Sequence, residues 1–257
     1  MMGLVALVTM TMVSCMHVKI GDKDLSLADA LNNHRNDTPT QVHEVGNETA
    51  MQAFDEVKVN GGFNVIYEQG GANSVRVDGT VEQLEKMTIY VKDGDLYIDS
   101  RKNEPSGTFD GLRVFVTSTM LDGIEIAGSG AVTAPKTMNV NDMSITVSGS
   151  GKVTLAQMNC KELEIEIAGS GDVTTGPVQA SKVNNEIAGS GDINIAALTC
   201  RYVYNEIAGS GDIVLDNLNV DNVKNDIAGS GDITLNGKVG NHSNNIAGSG
   251  KVHLNGK

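Results

Sequence analysis

Tryptophan is absent from this chain of 257 residues, and only nine residues are Phe or Tyr. Seven of the nine (Phe54, Phe63, Tyr67, Tyr90, Tyr97, Phe109 and Phe115) precede residue 116, so the second half must pack on aliphatic side chains. Basic residues are short too: 19 Lys and Arg face 32 Asp and Glu, a formal net charge of −13. That balance disfavours nucleic acid and anionic membrane surfaces as partners, since both repel an acidic surface. After the first residues no segment reaches the ~20 apolar residues that span a bilayer.

The start, Met1 to Cys15 (MMGLVALVTMTMVSC), carries no charge and is apolar apart from Thr9, Thr11 and Ser14. It is too short for a stable membrane anchor and fits the apolar segment of a signal peptide. A small residue before a Cys after such a run matches a bacterial lipoprotein signal, with residues 1–14 removed and Cys15 bearing the lipid. Residues 15–50 then read as a tether. The stretch NNHRNDTPTQ (Asn32 to Gln41) is polar and turn-rich without periodicity, and a short helix is expected around Leu25 to Leu31.

Glycine, at 30 residues, is abundant and ordered. The tripeptide GSG occurs seven times, beginning at Gly128, Gly149, Gly169, Gly189, Gly209, Gly229 and Gly248, spaced 21, 20, 20, 20, 20 and 19 residues apart. A fixed period in this range marks a solenoid. Within one repeat the apolar positions alternate (Val183, Ile187, then Ile193, Ile195), which is strand spacing. Coils of about 20 residues hold two or three short strands, and stacking them about 4.8 Å apart gives parallel sheets. Parallel crossovers are overwhelmingly right-handed. The expected fold is therefore all-β: a right-handed parallel β-helix over residues 126–257, continuous with an irregular strand-rich part over residues 51–125. The glycines suit a corner stacked on every rung, where φ is positive or backbones approach closely. Asn185, Asn205, Asn225 and Asn244 share one slot, and their amides are expected to bond as a ladder inside the coil. Cys160 and Cys200 share the inward slot of Ala180 and Val220. Two rungs part them by about 9.6 Å, beyond the ~7 Å of a disulfide, so both are expected to stay unpaired.

The segments FDEVKVNGGFNVIYEQG, DGDLYIDS and LRVFVTSTMLDGIEIAGSG, followed by GSGD repeats, resemble the auto-transporter adhesin head GIN domain family over roughly residues 51 to 257. The resemblance implies a Gram-negative envelope protein of adhesin-like type and supplies no catalytic residues.

Several motifs point toward chemistry. GSGK at Gly149 to Lys152 and Gly248 to Lys251 is similar to a phosphate loop, but Val153 and Val252 stand where the motif needs Ser or Thr. GSGD is similar to calcium-binding β-roll repeats, which come in nine-residue units rather than one copy per coil. Two acidic columns emerge from the period: Glu166, Glu186, Glu206 and Asp226, and Asp172, Asp192, Asp212 and Asp232. They read as a solvated edge or as a site for cations or a basic partner. The His residues, at 17, 34, 43, 242 and 253, leave the central coils without a base or imidazole ligand.

The sequence thus assigns no catalytic residue, no cofactor and no metal ligand; its one site residue is Cys15. It points to a cell-envelope lipoprotein, held at the outer membrane only through its lipid and facing the cell surface or the periplasm. Its β-helix would be a non-enzymatic interaction or structural module for an envelope protein or glycan, and a homo-oligomer is compatible with it. The alternative is a carbohydrate-active β-helix enzyme on acidic polysaccharide. A fatty-acid probe fed to expressing cells should label the wild-type chain and not Cys15→Ala; equal labelling of both, or of neither, contradicts acylation at Cys15.

Overall fold

The computed structural model describes residues 17–20, 23–26, 42, 44–101, 104 and 107–256. Residues 1–40 and 41–257 form two separate units. The signal segment and Cys15 lie outside the described residues. In the first unit, β1 (His17–Ile20) pairs antiparallel with β2 (Lys23–Ser26). Leu25 and Ser26 are therefore strand, not the start of a helix, and the rest of the expected helix lies outside the described residues. The alternation of Val18 and Ile20 suits a strand better than a helix.

The second unit is a stack of parallel coils. Each coil of the repeat runs along one long strand, turns at GSG and returns through a bent strand. The long strands are β10 (Gly123–Gly128), β12 (Asp142–Gly149), β14 (Glu162–Gly169) and β16 (Lys182–Gly189). The return strands are β11 (Ala131–Asn139), β13 (Lys152–Asn159) and β15 (Asp172–Gln179). From there β17 (Asp192–Gly209), β18 (Ile213–Gly229) and β19 (Ile233–Gly248) run unbroken round the second bend, and β20 (Val252–Asn255) closes the series. Each long strand pairs in parallel with the next, GSG over GSG.

Two different constraints explain the two glycines of each corner. The first has φ between +124° and +149° from Gly128 to Gly248, a region that L side chains avoid. At the second the obstacle is the rung below. A Cβ on Gly191 would lie 2.0 Å from the carbonyl oxygen of Gly171, and one on Gly211 2.0 Å from that of Gly191. The intervening serine is exposed, and its N–H donates to the first-glycine carbonyl one rung below, as Ser190 does to Gly169 at 2.8 Å.

Register is held at this corner and relaxed at the other. The 21-residue interval before Gly149 is absorbed by a shift between Ala134 and Thr137. The 19-residue interval before Gly248 is absorbed where Leu215 and Leu218 face Leu235 and Gly237.

The interior is columns of stacked aliphatic side chains, such as Val147, Ile167, Ile187, Ile207 and Ile227, all 2% exposed or less. One column is polar. Asn185 donates to Asn205, Asn205 to Asn225 and Asn225 to Asn244, each at 2.8 Å. The chain of amides starts above Ile165, which leaves the Asn185 Oδ1 without a partner. Cys160 and Cys200 are both free thiols. Burial is the main cause pushing the Cys160 thiol up, to about 11.

The strand-rich N-terminal part does not precede the solenoid in space; it is threaded through its first coils. β4 (Glu56–Asn60) and β5 (Asn64–Gln69) form a rung under β10 and β11. Gly61 and Gly62 take the corner, with Gly61 at φ +138°. The chain then leaves to build β6 (Ser74–Asp78), β7 (Met87–Lys92), β8 (Asp95–Ser100) and β9 (Arg113–Ser118). It slides β8 and β9 in parallel beneath β4 and β5, and only then returns to β10. Antiparallel neighbours finish that end: β7 on β8, β6 on β9, and β3 (Glu48–Ala50) on β6. A short helix, α1 (Val81–Glu85), joins β6 to β7. Thr80 caps it, accepting the Gln83 N–H while the Gln83 side chain accepts the Thr80 N–H. Phe63 and Tyr67, each 1% exposed, fill the core of this end, and Phe109 packs on Phe63 at 4.4 Å. At the other end the last rung presents inward slots to solvent, with Ile246 and Leu254 each 42% exposed.

Gly191→Ala should destabilise the chain by on the order of 3 kcal/mol through the blocked corner, whereas Ser190→Ala should stay within about 0.5 kcal/mol. Asn205→Ala should cost roughly 2–5 kcal/mol, because it strands the Asn185 donor and the Asn225 acceptor in the core. Denaturant unfolding of the three variants measures this; equal midpoints for the two corner variants would refute the close approach.

Candidate functional site

The period-two alternation that buries Val183, Asn185 and Ile187 turns Lys182, Asn184 and Glu186 outward. Repeated over every long strand, it makes one broad exposed sheet face. Its central column can be followed through the register across the whole unit: Tyr90, Tyr97, Lys58, Glu125, Thr146, Glu166, Glu186, Glu206, Asp226 and Asn245. The first acidic column of the sequence is the middle of this line. Beside it runs a line of exposed alanines, Ala168, Ala188, Ala208, Ala228 and Ala247. Together they form a shallow depression of about 240 Å³ floored by alanine and edged by Glu166, Glu186 and Glu206.

The carboxylates repel one another. Burial first, then the charges of Glu166, Glu206 and Glu164, push the Glu186 carboxyl above its ordinary value. The ends of the line are neutralised instead. Lys58 lies within 3.3 Å of Glu56, Asp95 and Glu125. Burial works against its charge, and these carboxylates more than restore it, holding the ammonium above its usual range. Beyond it, Tyr90 and Tyr97 stack at 5.1 Å. At the other end Lys224 pairs with Asp226 at 2.5 Å and holds that carboxyl below its usual value.

The second acidic column sits at the GSG corner, apart from the first, and has a structural occupation. The carboxylate of Asp192 accepts the backbone N–H of Asp212 at 3.0 Å, Asp212 accepts that of Asp232, and Asp232 accepts that of Lys251, both at 2.8 Å. Three of the four Asp residues thus bond the backbone of the rung above. Among the described residues no group of three or more His, Cys, Asp or Glu is placed to hold a metal ion. The GSGK loops are also spent on stacking. Ser150 and Lys152 donate their N–H groups to Gly128 and Gly130, and Ser249 and Gly250 donate theirs to Gly229. No nest of free N–H groups is left there for a phosphate. Of the histidines, His242 occupies an exposed slot of the last rung and His253 lies 3.5 Å from Asp232.

What the sequence reading passed over is the pair Tyr202 and Tyr204, the two aromatic residues that follow residue 116. Both point outward from one strand into a groove of about 370 Å³, bordered by Lys182, Asn184, Asn222 and Lys224. Tyr202 is 57% exposed. Tyr204 is fixed: its hydroxyl shares its one proton between Glu206 at 2.5 Å and Asp226 at 3.0 Å, and the Lys224 ammonium sits 4.7 Å from its ring centre. The hydrogen bond to Glu206, with burial and Asp226, raises its pKa, so the phenol stays protonated. A phenolate base would need the opposite shift. The signal was available, since Tyr at these two slots breaks a series that is otherwise Glu162, Lys182, Asn222, Asn241 and Glu164, Asn184, Lys224, Ser243.

A family model described as "Putative auto-transporter adhesin, head GIN domain" matches residues 53–213 and, again, 202–256. Solved structures share the fold. A "putative adhesin" of Bacteroides fragilis superposes with a TM-score of 0.73 at 19% identity, covering 85% of this chain and 98% of its own. A "putative adhesin" of Parabacteroides merdae gives 0.67 at 18% identity, covering 85% and 97%. A "putative lipid binding protein" of Parabacteroides distasonis gives 0.61 at 20% identity, with the same coverage of 85% and 97%. No curated protein matches the chain.

The raised Glu186 value carries a sign for stability. The folded chain holds this proton more readily than the unfolded one, so the associated stability is present below the ordinary carboxylate pKa. It is lost as pH rises through the elevated folded value. Unit charges one rung apart (about 4.8 Å) repel by ~1 kcal/mol in water. Glu186→Gln should therefore raise the melting temperature by a few degrees at neutral pH and low salt, flatten its fall as pH rises through the elevated folded value, and gain less in high salt, which screens the neighbouring charges but not the burial. Calcium and sodium chloride at matched ionic strength should act alike on the wild type. A calcium effect in excess, abolished by Asp192→Asn with Asp212→Asn, would instead mark a bound ion.

Proposed function

The chain belongs to the auto-transporter adhesin head GIN domain family, and from that membership we propose that it is a cell-envelope lipoprotein whose solenoid is a non-enzymatic, adhesin-like interaction module. In this reading Cys15 carries the lipid that holds the chain at the outer membrane. Residues up to about 50 are the tether, and the long sheet face is what the module presents to an envelope protein or a glycan. The observation that supports it most is the form of that face. Its GSG rungs repeat at 19 to 21 residues, so no insertion among them raises a wall around a cleft. A rigid, flat, many-rung surface suits recognition of an extended partner, and solenoids commonly use such repeated surfaces for binding. Glu206, Asp226 and the protonated Tyr204 on it are occupied with one another, which favours binding over catalysis.

Fractionation of a Gram-negative host expressing the full chain tests the location. The protein should sediment with the outer membrane and need detergent for release, while Cys15→Ala should appear in a soluble fraction. Recovery of the wild type from the cytosol would overturn the reading. Immobilised full-length protein should retain envelope material without altering it. Release of reducing ends or unsaturated products from an acidic polysaccharide in the same incubation would replace the adhesin-like reading with an enzymatic one.

A further inference from the structure

The geometry points to the groove at Tyr202 and Tyr204 as a subsite for an uncharged glycan, which packs the C–H face of a sugar ring on Tyr202 and hydrogen-bonds its hydroxyls to the amides of Asn184 and Asn222. This deepens the adhesin-like reading and rests on it for the setting, though not for the chemistry.

Tyr202 contributes nothing to the core. It is 57% exposed, on a strand whose inward residues Val203 and Asn205 complete the interior without it. A large aromatic ring held open in a slot whose neighbouring rungs carry Glu162, Lys182, Asn222 and Asn241 has no packing reason to be there. Two adjacent aromatic rings rimmed by polar groups are a form that recognition sites take, since Tyr joins an apolar face to a polar end. The groove of about 370 Å³ falls within the ~300–1,000 Å³ of small-ligand sites.

Charge selects the class of ligand. The two lysines of the groove are engaged, Lys182 with Glu162 and Lys224 with Asp226 and the Tyr204 ring. Neither lysine is therefore left unpaired to hold a carboxylate or sulfate, and His242 is the one other basic side chain of the lining. The line of Glu166, Glu186 and Glu206 continues the same face, in a chain of net charge −13, so a polyanion is repelled along its length. What is left over is neutral hydrogen bonding. The Asn184 amide makes no hydrogen bond among the described residues, and Asn222 uses only its oxygen, accepting from Asn241 at 3.1 Å. Amides offer a donor and an acceptor side by side, the pattern that neighbouring sugar hydroxyls can meet. Tyr204, locked by Glu206, Asp226 and Lys224, is already ordered before a ligand arrives, which lowers the entropic cost of binding.

Affinity electrophoresis of the full-length protein tests this, in gels containing a mannan, a galactan, a β-glucan or, as the acidic comparison, polygalacturonate. At least one neutral polymer should retard the wild type and polygalacturonate should not. Tyr202→Ala should weaken that retardation tenfold or more and Asn184→Ala severalfold, while Tyr202→Phe should keep most of it. Because Tyr202 lies outside the core, Tyr202→Ala should melt with the wild type; if it does not, Asn184→Ala and Tyr202→Phe carry the decision. No retardation by any neutral polymer, or retardation unchanged in both Tyr202→Ala and Asn184→Ala, overturns the subsite. Retention of envelope proteins by the same immobilised chain would then leave the adhesin-like reading standing with a protein partner. Loss of both would remove that reading as well.

Discussion

The rest of the structure depends on how closely the backbone of one rung approaches the next at the GSG corner. A Cβ at the third position would fall 2.0 to 3.0 Å from the carbonyl oxygen beneath it on every repeat. Only glycine lets the chain turn and stack at that spacing at once. With the corner fixed, the long strand leaves in the same register each time, so its inward residues fall into columns and its outward residues into lines. Irregularities of length go to the opposite bend, where the Ala134–Thr137 and Leu215–Leu218 shifts take up one residue more or less. Asn217 adopts φ +47° at that bend and hydrogen-bonds the Ala196 carbonyl, showing that the second corner tolerates local solutions which the first does not.

Exact stacking also allows a polar column in the core. A single buried asparagine would cost more than it returns, because its amide has four hydrogen-bonding sites and few partners. Stacked at one-rung spacing, each Asn finds the next at 2.8 Å. The cost is confined to the ends: the Oδ1 of Asn185 lacks a partner at one, and at the other Asn244 is exposed and can turn to water. The same logic serves the surface less well. Glutamates stacked at this spacing repel, which adds to burial in pushing the Glu186 carboxyl above its ordinary value, whereas the aspartates at the corner are relieved by backbone N–H groups of the next rung. A repeat therefore amplifies whatever stands at a slot, favourable or not. Departures from it, such as Tyr202 and Tyr204, are where a function separate from stacking has to be sought.

Much of this was legible beforehand. The seven GSG copies, the strand alternation between them and the Asn slot lead directly to a solenoid with a stacked corner, an amide ladder and two outward acidic lines, because each follows from a period and a parity that one rung alone displays. The residues preceding the repeat were legible only as strands. Their alternation resembles that of the coils, and nothing in the sequence says that β4 and β5 lie between two later pieces of chain. The Gly61-Gly62 corner escaped notice for the same reason, since it lacks the serine and lies outside the period. The helix expected near Leu25 fails where Lys23–Ser26 is a strand, paired to a neighbour that local propensity does not see.

The sequence by itself determined the class of fold, the coil length, the interior columns and the outward charge lines, since these are fixed by a local repeat that backbone geometry can satisfy in one way. Only the tertiary structure decided what joins those lines into a surface. Lys58 and Tyr97 precede the first GSG by tens of residues in sequence, yet they continue the column of Glu125 and Glu186 because β8 and β4 are inserted beneath β10. The acidic corner is a set of backbone hydrogen bonds, and the two tyrosines are a groove, only once neighbouring rungs supply the N–H groups, the lysines and the amides around them. Both depend on which rung lies above and below, a relation between residues about twenty apart that pairwise stacking creates and that no single segment contains.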